Sequence, residues 1–197
     1  MTRIRAATIA DLPGAYRVCL LTGDAGRDGT ALFRNPDLLG HVFVGPYIVG
    51  SPDLARVVVD ADGVAGYLLA AADTRAFEAW AEAAWWPVLR DQYPLPDEAT
   101  PEAWLIRAIH DPEPAPEDMV AVYPSHLHLD LLERARGLGL GRALIEGLLI
   151  DLRTRGSSGV HMHVAPANEN AIAFYGHLGF ETLEALDDSI VMGKRLD

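Results

Sequence analysis

Ser125-His-Leu-His-Leu-Asp-Leu-Leu-Glu-Arg-Ala-Arg-Gly-Leu-Gly-Leu-Gly141 runs from an alternating segment straight into a glycine-rich loop. Over residues 125–132 the alternation puts His126, His128 and Asp130 on one face of a strand and Leu127, Leu129 and Leu131 on the other. From Gly139 onward a helix is expected, with Leu140, Leu144, Leu148 and Leu152 on one stripe. A strand, a glycine-rich loop and a helix in that order make an anion site. Gly137, Gly139 and Gly141 let the backbone approach a ligand closely, and the amides converge at the helix N-terminus. The helix dipole adds about half a positive charge there, and Arg136 and Arg142 add full ones.

The position of the loop narrows the choice of anion. A dinucleotide fingerprint sits near the first strand, with an acidic residue about 20 residues further on, whereas this loop follows residue 130. A nucleoside-triphosphate loop needs Gly-Lys-Ser/Thr; Gly141-Arg142-Ala143 offers neither the lysine nor the hydroxyl. Three spaced glycines alone also suit a plain tight turn.

Upstream, residues 3–8 read as a short strand, and Asp11 as the cap of a helix through about Leu21, with Pro13 in its first turn. Residues 22–53, rich in Gly, Pro, Asp and Asn, suggest loops and short helical turns. Residues 55–60 and 64–72 flank Ala61-Asp-Gly63 as a hairpin. A helical excursion is expected over about 74–122, between the third and fourth strands. It carries Phe77, Trp80 and Trp85 at helical spacing, breaks at Pro87 and Pro94, a short helix around residues 101–109, and a proline-rich linker at 111–118. Downstream, 160–164 and 190–194 read as strands and 168–178 as a helix. One domain over 1–197 is expected, of α/β (α+β) class, with a mixed central sheet and helices on both faces.

The chain has 197 residues, half of them apolar, and a formal charge of −12. That balance disfavours nucleic acid, whose binding rests on neutralising phosphates. It also suits a cationic substrate drawn by steering, although solubility alone accounts for many acidic surfaces. Cys19 is the only cysteine, so no intrachain disulfide forms. Without an apolar run of membrane length or a signal-peptide centre, a cytoplasmic monomer or homodimer is expected, with no membrane partner.

Arg136-x-x-Gly139-x-Gly141 resembles the Arg/Gln-x-x-Gly-x-Gly/Ala motif of the GNAT superfamily of N-acetyltransferases. About 30 residues later, Asn168-Glu-Asn-Ala171-Ile-Ala-Phe-Tyr175-Gly-His-Leu-Gly179-Phe180 is similar to that family's second motif. The resemblance implies acetyl-CoA as co-substrate, no metal, and a site between two splayed parallel strands, here 126–132 and 160–164. It places pantetheine against the backbone at Leu131 and Leu132. Arg136, Gly137, Leu138, Gly139, Leu140, Gly141 and Arg142 then hold the pyrophosphate, and Asn168 and Tyr175 approach from the other side. Residues from about 60 onward, including Ala65-Gly-Tyr-Leu68, Asp73-Thr-Arg-Ala-Phe77, Trp86-Pro-Val-Leu-Arg90, Tyr93-Pro94 and Tyr123-Pro-Ser-His-Leu-His-Leu-Asp130, also resemble the acetyltransferase-like C-terminal domain of O-GlcNAc hydrolases and its free-standing bacterial relatives. The animal domain has a degraded cofactor loop; the loop here is intact.

Acetyl transfer to a primary amine by direct attack in a ternary complex requires an acid and a base. Tyr175 matches the family's thiolate-protonating tyrosine, and an ordinary phenol is protonated at neutral pH. For the base, Asp130 is favoured, directly or through a water, with His128 as its partner. Core packing of Tyr175 and a structural hydrogen-bonding role for Asp130 are the bland readings. With His161 and His163 the strand histidines suggest a metal cluster, but no carboxylate stands at ligand spacing. Trp80, Trp85, Trp86 and Trp104 fit either a roof over the acceptor or plain core. Two other readings stand beside the enzyme: a catalytically silent acetyl-CoA sensor or interaction module, and a nucleotide-binding regulator.

Overall fold

In the computed structural model, residues 1–96, 100 and 102–196 are described. The N-terminal edge of the sheet is β1 (Arg3–Ala6), β2 (Arg56–Asp60) and β3 (Gly63–Ala71), all antiparallel. β2 and β3 close on the expected turn, where Gly63 takes a φ of 100° that a side chain rarely adopts. β4 (Ser125–Leu131) pairs antiparallel with β3, while β5 (Gly159–Val164) lies parallel to β4. Two antiparallel strands, β6 (Glu181–Ala185) and β7 (Ile190–Arg195), complete the far side, in the order β1-β2-β3-β4-β5-β7-β6. The sheet is therefore mixed, with one parallel pair near its centre.

Helices cover both faces. α1 (Leu12–Thr22), α2 (Leu38–Phe43), α3 (Gly45–Gly50), α4 (Thr74–Ala84), α5 (Trp86–Gln92) and α6 (Ala103–His110) supply one core, around Val18, Tyr47, Tyr67, Leu69 and Leu105. α7 (Glu117–Val122) leads back to the sheet. α8 (Leu140–Thr154) and α9 (Glu169–His177) build the other core, around Leu68, Leu127, Leu144, Leu148, Leu152 and Tyr175. The stripe read from the α8 sequence is thus the buried one. The helical segment breaks before Pro87, as expected, between α4 and α5, and Pro87 itself sits in the first turn of α5, where a proline sacrifices no helical bond.

Three readings change. Asp11 does not cap α1 with its side chain; its carboxylate accepts from Thr8, capping the preceding turn, and pairs with Arg5 through two bonds of 2.7 and 2.5 Å. That pairing holds its pKa down at about 2. The end of the linker becomes α7, whose first turn carries Glu117 and Asp118, favourable to a helix dipole. β6 is an additional edge strand, exposed along its whole length. Of the helix expected at 101–109, residue 101 lies outside the described residues.

Candidate active site

β4 and β5 pair at only two positions, Ser125 with Val160 and His126 with His161. Beyond them the strands part, and each keeps its outer neighbour: β4 stays in register with β3 to Leu131, and β5 with β7 to Val164. A cleft therefore opens toward the C-terminal end of the parallel pair, where ligands of such sheets gather.

At the mouth of the cleft stands the N-terminus of α8. Gly137 and Gly139 have φ of 72° and 74°, and a Cβ on either would meet nothing within 4 Å. Their requirement is conformational, and the space beside them is open. Among the described residues, the amides of Gly137 through Arg142 donate to no backbone carbonyl. Six successive N–H groups at a helix start, without a carbonyl partner, suit a pyrophosphate. Leu138 is exposed, Leu140 partly buried, and Arg142 exposed with Glu146 at 3.4 Å.

Arg136 has a different role from the expected simple charge. Its Nε donates to Leu131 O at 2.9 Å and one terminal nitrogen to Gly26 O at 2.9 Å. It therefore ties the α1–α2 loop to the end of β4. Asn168 lies against the same loop from the opposite wall, since a Cβ on Gly26 would come within 2.9 Å of its amide nitrogen. Its Oδ1 caps α9 by accepting from Ala171 N at 3.2 Å. Leu132 continues the β4 edge, donating its N–H to Ala65 O at 2.8 Å.

Two cavities meet at the parting of the strands. One, of about 720 Å3, is lined by Asp130, Tyr175, Asn168, Gly26 and Thr22. The second, of about 740 Å3, is walled by Tyr47, Phe77, Trp86, Met119 and prolines 112, 114 and 116. His128, His163, Phe43 and Trp104 line both. The tryptophans thus divide: Trp86 and Trp104 face the second cavity, while Trp80 and Trp85 pack at the α1–α5 core.

Tyr175 is buried but for its tip, and its hydroxyl has no partner among the described residues. Burial and then the charge of Asp130 raise its pKa, so it stays protonated. Asp130 accepts a 2.6 Å hydrogen bond from Tyr67. Burial raises its pKa, and the Tyr67 hydroxyl opposes that rise. Cys19, buried below Tyr67, is pushed up to about 12 by burial and is no nucleophile.

His128 and Asp130 share a face, as expected, yet are not hydrogen-bonded to each other; the partner of His128 is Tyr47, at 3.0 Å. Burial lowers the His128 pKa to about 4, with smaller contributions from His163 and His161. His126 is locked between Thr74 and Tyr47, and His161 Nδ1 donates to Tyr123 O at 2.8 Å. Among the described residues no three His, Cys, Asp or Glu side chains are arranged to hold a metal ion. Nor is any helix among them long and apolar enough to cross a membrane. Tyr47 and Tyr67 were invisible as site residues in the sequence; each comes from a distant segment and earns its place through tertiary packing.

The model of the Acetyltransferase (GNAT) family matches residues 76–180. Protein O-GlcNAcase of Rattus norvegicus is 26% identical over 194 residues, covering 94% of this chain and 21% of the relative. The chain thus spans about a fifth of the length of that curated relative and its Mus musculus counterpart. The crystal structure of SsHAT superposes with a TM-score of 0.91 at 35% identity, covering 100% of this chain and 98% of that one. Ard1 from Thermoplasma volcanium, at 15% identity and a TM-score of 0.57 over 100% and 98% of the two chains, shares the fold. With the splayed parallel pair, the glycine loop and this match over more than half its length, the chain belongs to the GNAT family of acetyltransferases.

Proposed function

We propose that this protein transfers an acetyl group from acetyl-CoA to a primary amine, with both reactants present at the parting of β4 and β5. The observation that carries the reading is the run of uncommitted amides from Gly137 to Arg142 at the mouth of a cleft that Tyr175 enters from the other wall. When bound, acetyl-CoA supplies a thioester, an acetyl group activated toward nitrogen.

The chain's own groups divide the work. Gly137 to Arg142 hold the pyrophosphate through backbone N–H groups, and the exposed edge of β4 near Leu131 and Leu132 orients the pantetheine. Asn168 and the Arg136-tethered loop bound the cleft on its two sides. Tyr175 gives its hydroxyl proton to the departing sulfur as the C–S bond breaks, and the proton shed by the newly acylated nitrogen restores it. The β4 face bearing Asp130 and His128 takes the proton that an ammonium must lose before its nitrogen can attack.

The second cavity suits the amine. Phe43, Phe77 and Trp104 contribute aromatic rings to its wall, a lining that suits a cation. Glu113 and Glu184 line the same cavity and pair with no cation among the described residues. Together with the net charge of −12, these favour a cationic acceptor over nucleic acid.

Calorimetry with acetyl-CoA, followed by thiol release over a panel of primary amines, tests this. Saturable binding and amine-dependent release of CoA thiol are expected. No binding at millimolar acetyl-CoA sinks the reading, and binding without turnover on any amine replaces it with a silent acetyl-CoA sensor.

A further inference from the structure

Four side chains from three elements form one hydrogen-bonded line that ends at the meeting point of the two cavities. Thr74, at the start of α4, places its Oγ1 2.8 Å from Pro124 O and 2.8 Å from His126 Nδ1. On the other side of that ring, His126 Nε2 lies 2.8 Å from the Tyr47 hydroxyl of α3. The same hydroxyl lies 3.0 Å from His128 Nε2.

The direction of each bond follows from its neighbour. A carbonyl oxygen has no hydrogen, so the Thr74 hydroxyl donates its only one to Pro124 O. The Thr74 oxygen is left to accept, which requires hydrogen on His126 Nδ1. His126 is buried among Tyr47, Phe77 and two further histidines and stays neutral, so its Nε2 is a lone pair. Tyr47 therefore donates to His126, and its oxygen accepts from His128, whose hydrogen sits on Nε2. The reverse ordering would leave two oxygens 2.8 Å apart, at Thr74 and Pro124, with no hydrogen between them.

One ring nitrogen remains. His128 Nδ1 has no partner among the described residues, yet no buried side-chain nitrogen or oxygen there lacks one. His128 Nδ1 is therefore open to the cavity.

We infer that Thr74, His126 and Tyr47 are positioning residues that order the tautomer of His128, and that its Nδ1 lone pair takes the proton of the acceptor ammonium. The inference rests on the acetyl transfer proposed above and decides between its two candidate bases. In the step, one N–H bond of the ammonium breaks and its electron pair stays on the amine nitrogen. An N–H bond forms at His128 Nδ1, and the imidazolium, which burial disfavours, passes the proton directly on to water in the cavity while Nε2 keeps donating to Tyr47. Asp130 is the poorer candidate: it lines only the first cavity, whereas His128 lines both and so faces the second, where the amine is proposed to sit. His163 reaches both cavities, but its Nδ1 meets only the Ser189 hydroxyl, at 3.2 Å, which donates or accepts equally and fixes no tautomer.

Imidazole nitrogen NMR on the 15N-labelled protein reads the ordering without turnover. The expected wild-type spectrum at pH 7.5 has His126 protonated at Nδ1 and His128 at Nε2. Tyr47→Phe is expected to release His128 into a mixture of tautomers and lower kcat about 10- to 100-fold, leaving KM for acetyl-CoA unchanged. Thr74→Val, which removes the hydroxyl that His126 Nδ1 meets, is expected to loosen the His126 tautomer and lower kcat, and it serves should Tyr47→Phe fail to fold; Thr74→Ser, which restores the hydroxyl, is expected to restore both. A wild-type His128 protonated at Nδ1 overturns the inference whatever the activity. So does a larger loss of kcat from His163→Asn than from His128→Asn. Failure of every amine to react would instead count against the acetyl-transfer reading, while the tautomer still reports on the ordering.

Discussion

Tyr67 and Asp130 sit directly opposite each other in the β3–β4 ladder, and the tyrosine hydroxyl donates to the carboxylate at 2.6 Å. This cross-strand pair fixes the side chain of Asp130 beside the first cavity while Tyr67 itself is buried in the core. In Tyr67→Phe the carboxylate keeps its burial and loses its donor. Removing a hydrogen bond to a charged group costs roughly 2 kcal/mol, and the Asp130 pKa moves further up because Tyr67, the largest of the groups that oppose its rise, no longer donates, leaving Thr22 and Arg136. Chemical denaturation should show the loss. Carbonyl NMR of Asp130 should show the higher titration point, and an unchanged or lower one would contradict the account.

The glycine loop contains two different kinds of glycine, and alanine substitution separates them. At Gly139 the demand is a φ of 74° with open space beside it, so Gly139→Ala should cost roughly 1 kcal/mol through backbone strain. The helix start would shift as the strain relaxes, and acetyl-CoA affinity should fall with it. At Gly141, inside α8, a Cβ would lie 3.1 Å from Phe174 Cζ and 3.4 Å from Leu131 Cδ1. Gly141→Ala gains about 1 kcal/mol of helix propensity while pressing on the ring next to Tyr175. Its stability should stay within about 1 kcal/mol of wild type, and its kcat should fall through the displaced tyrosine. Equal effects of the two substitutions on affinity and on kcat would show the distinction to be wrong.

Much of this arrangement is written locally, and the remainder is not. The β4 face, the φ-demanding glycines and the α8 stripe each follow from a period or a residue type within one short window. β6 escaped notice because Glu181–Ala185 is exposed throughout and so has no buried face to imprint an alternation. α7 is six residues long, too short for a helical period to show behind Pro116. Tyr47 falls in a glycine- and proline-rich stretch and reaches His126 and His128 from about 80 residues away in sequence, separations of 79 and 81. Such a contact depends on how α3 packs over the sheet, which no local pattern encodes. Arg136 was legible as a cation but not as the tether of the Gly26 loop, for the same reason.

Burial of neutral histidines gives stability a definite pH dependence. His126, His128, His161 and His163 all have lowered pKa values, with desolvation as the largest cause. In the unfolded chain a histidine titrates near 6.5. Because the folded values lie below that, the contribution is complete above about pH 6.5 and is lost as pH falls toward the folded value, about 4 for His128. Asp11 acts later, since its folded pKa is about 2 and its contribution persists until the unfolded carboxylate range is crossed. Asp130, raised by burial, works in the opposite sense. Tm should therefore decline between pH 7 and 5, and His128→Asn should decline less steeply. A flat profile over that interval would rule out neutral buried imidazoles.

Tyr175 offers the cleanest separation of chemistry from structure. Its ring packs against Phe174 and Phe180 at centroid distances of 5.2 and 5.6 Å, whereas its hydroxyl has no partner among the described residues. Tyr175→Phe keeps the ring contacts and removes only the oxygen, so the unfolding midpoint should stay within about 0.5 kcal/mol of wild type. If the hydroxyl protonates the departing thiolate, kcat should fall by 10²- to 10⁴-fold, the usual range for a lost general acid. KM for acetyl-CoA should hold, because the amides of Gly137 to Arg142 are untouched. The nature of the leaving group sharpens the test: a thioester with a more acidic thiol needs less protonation and should recover much of the lost rate in the variant. Equal losses on both thioesters would assign Tyr175 to packing and move the acid elsewhere in the cleft.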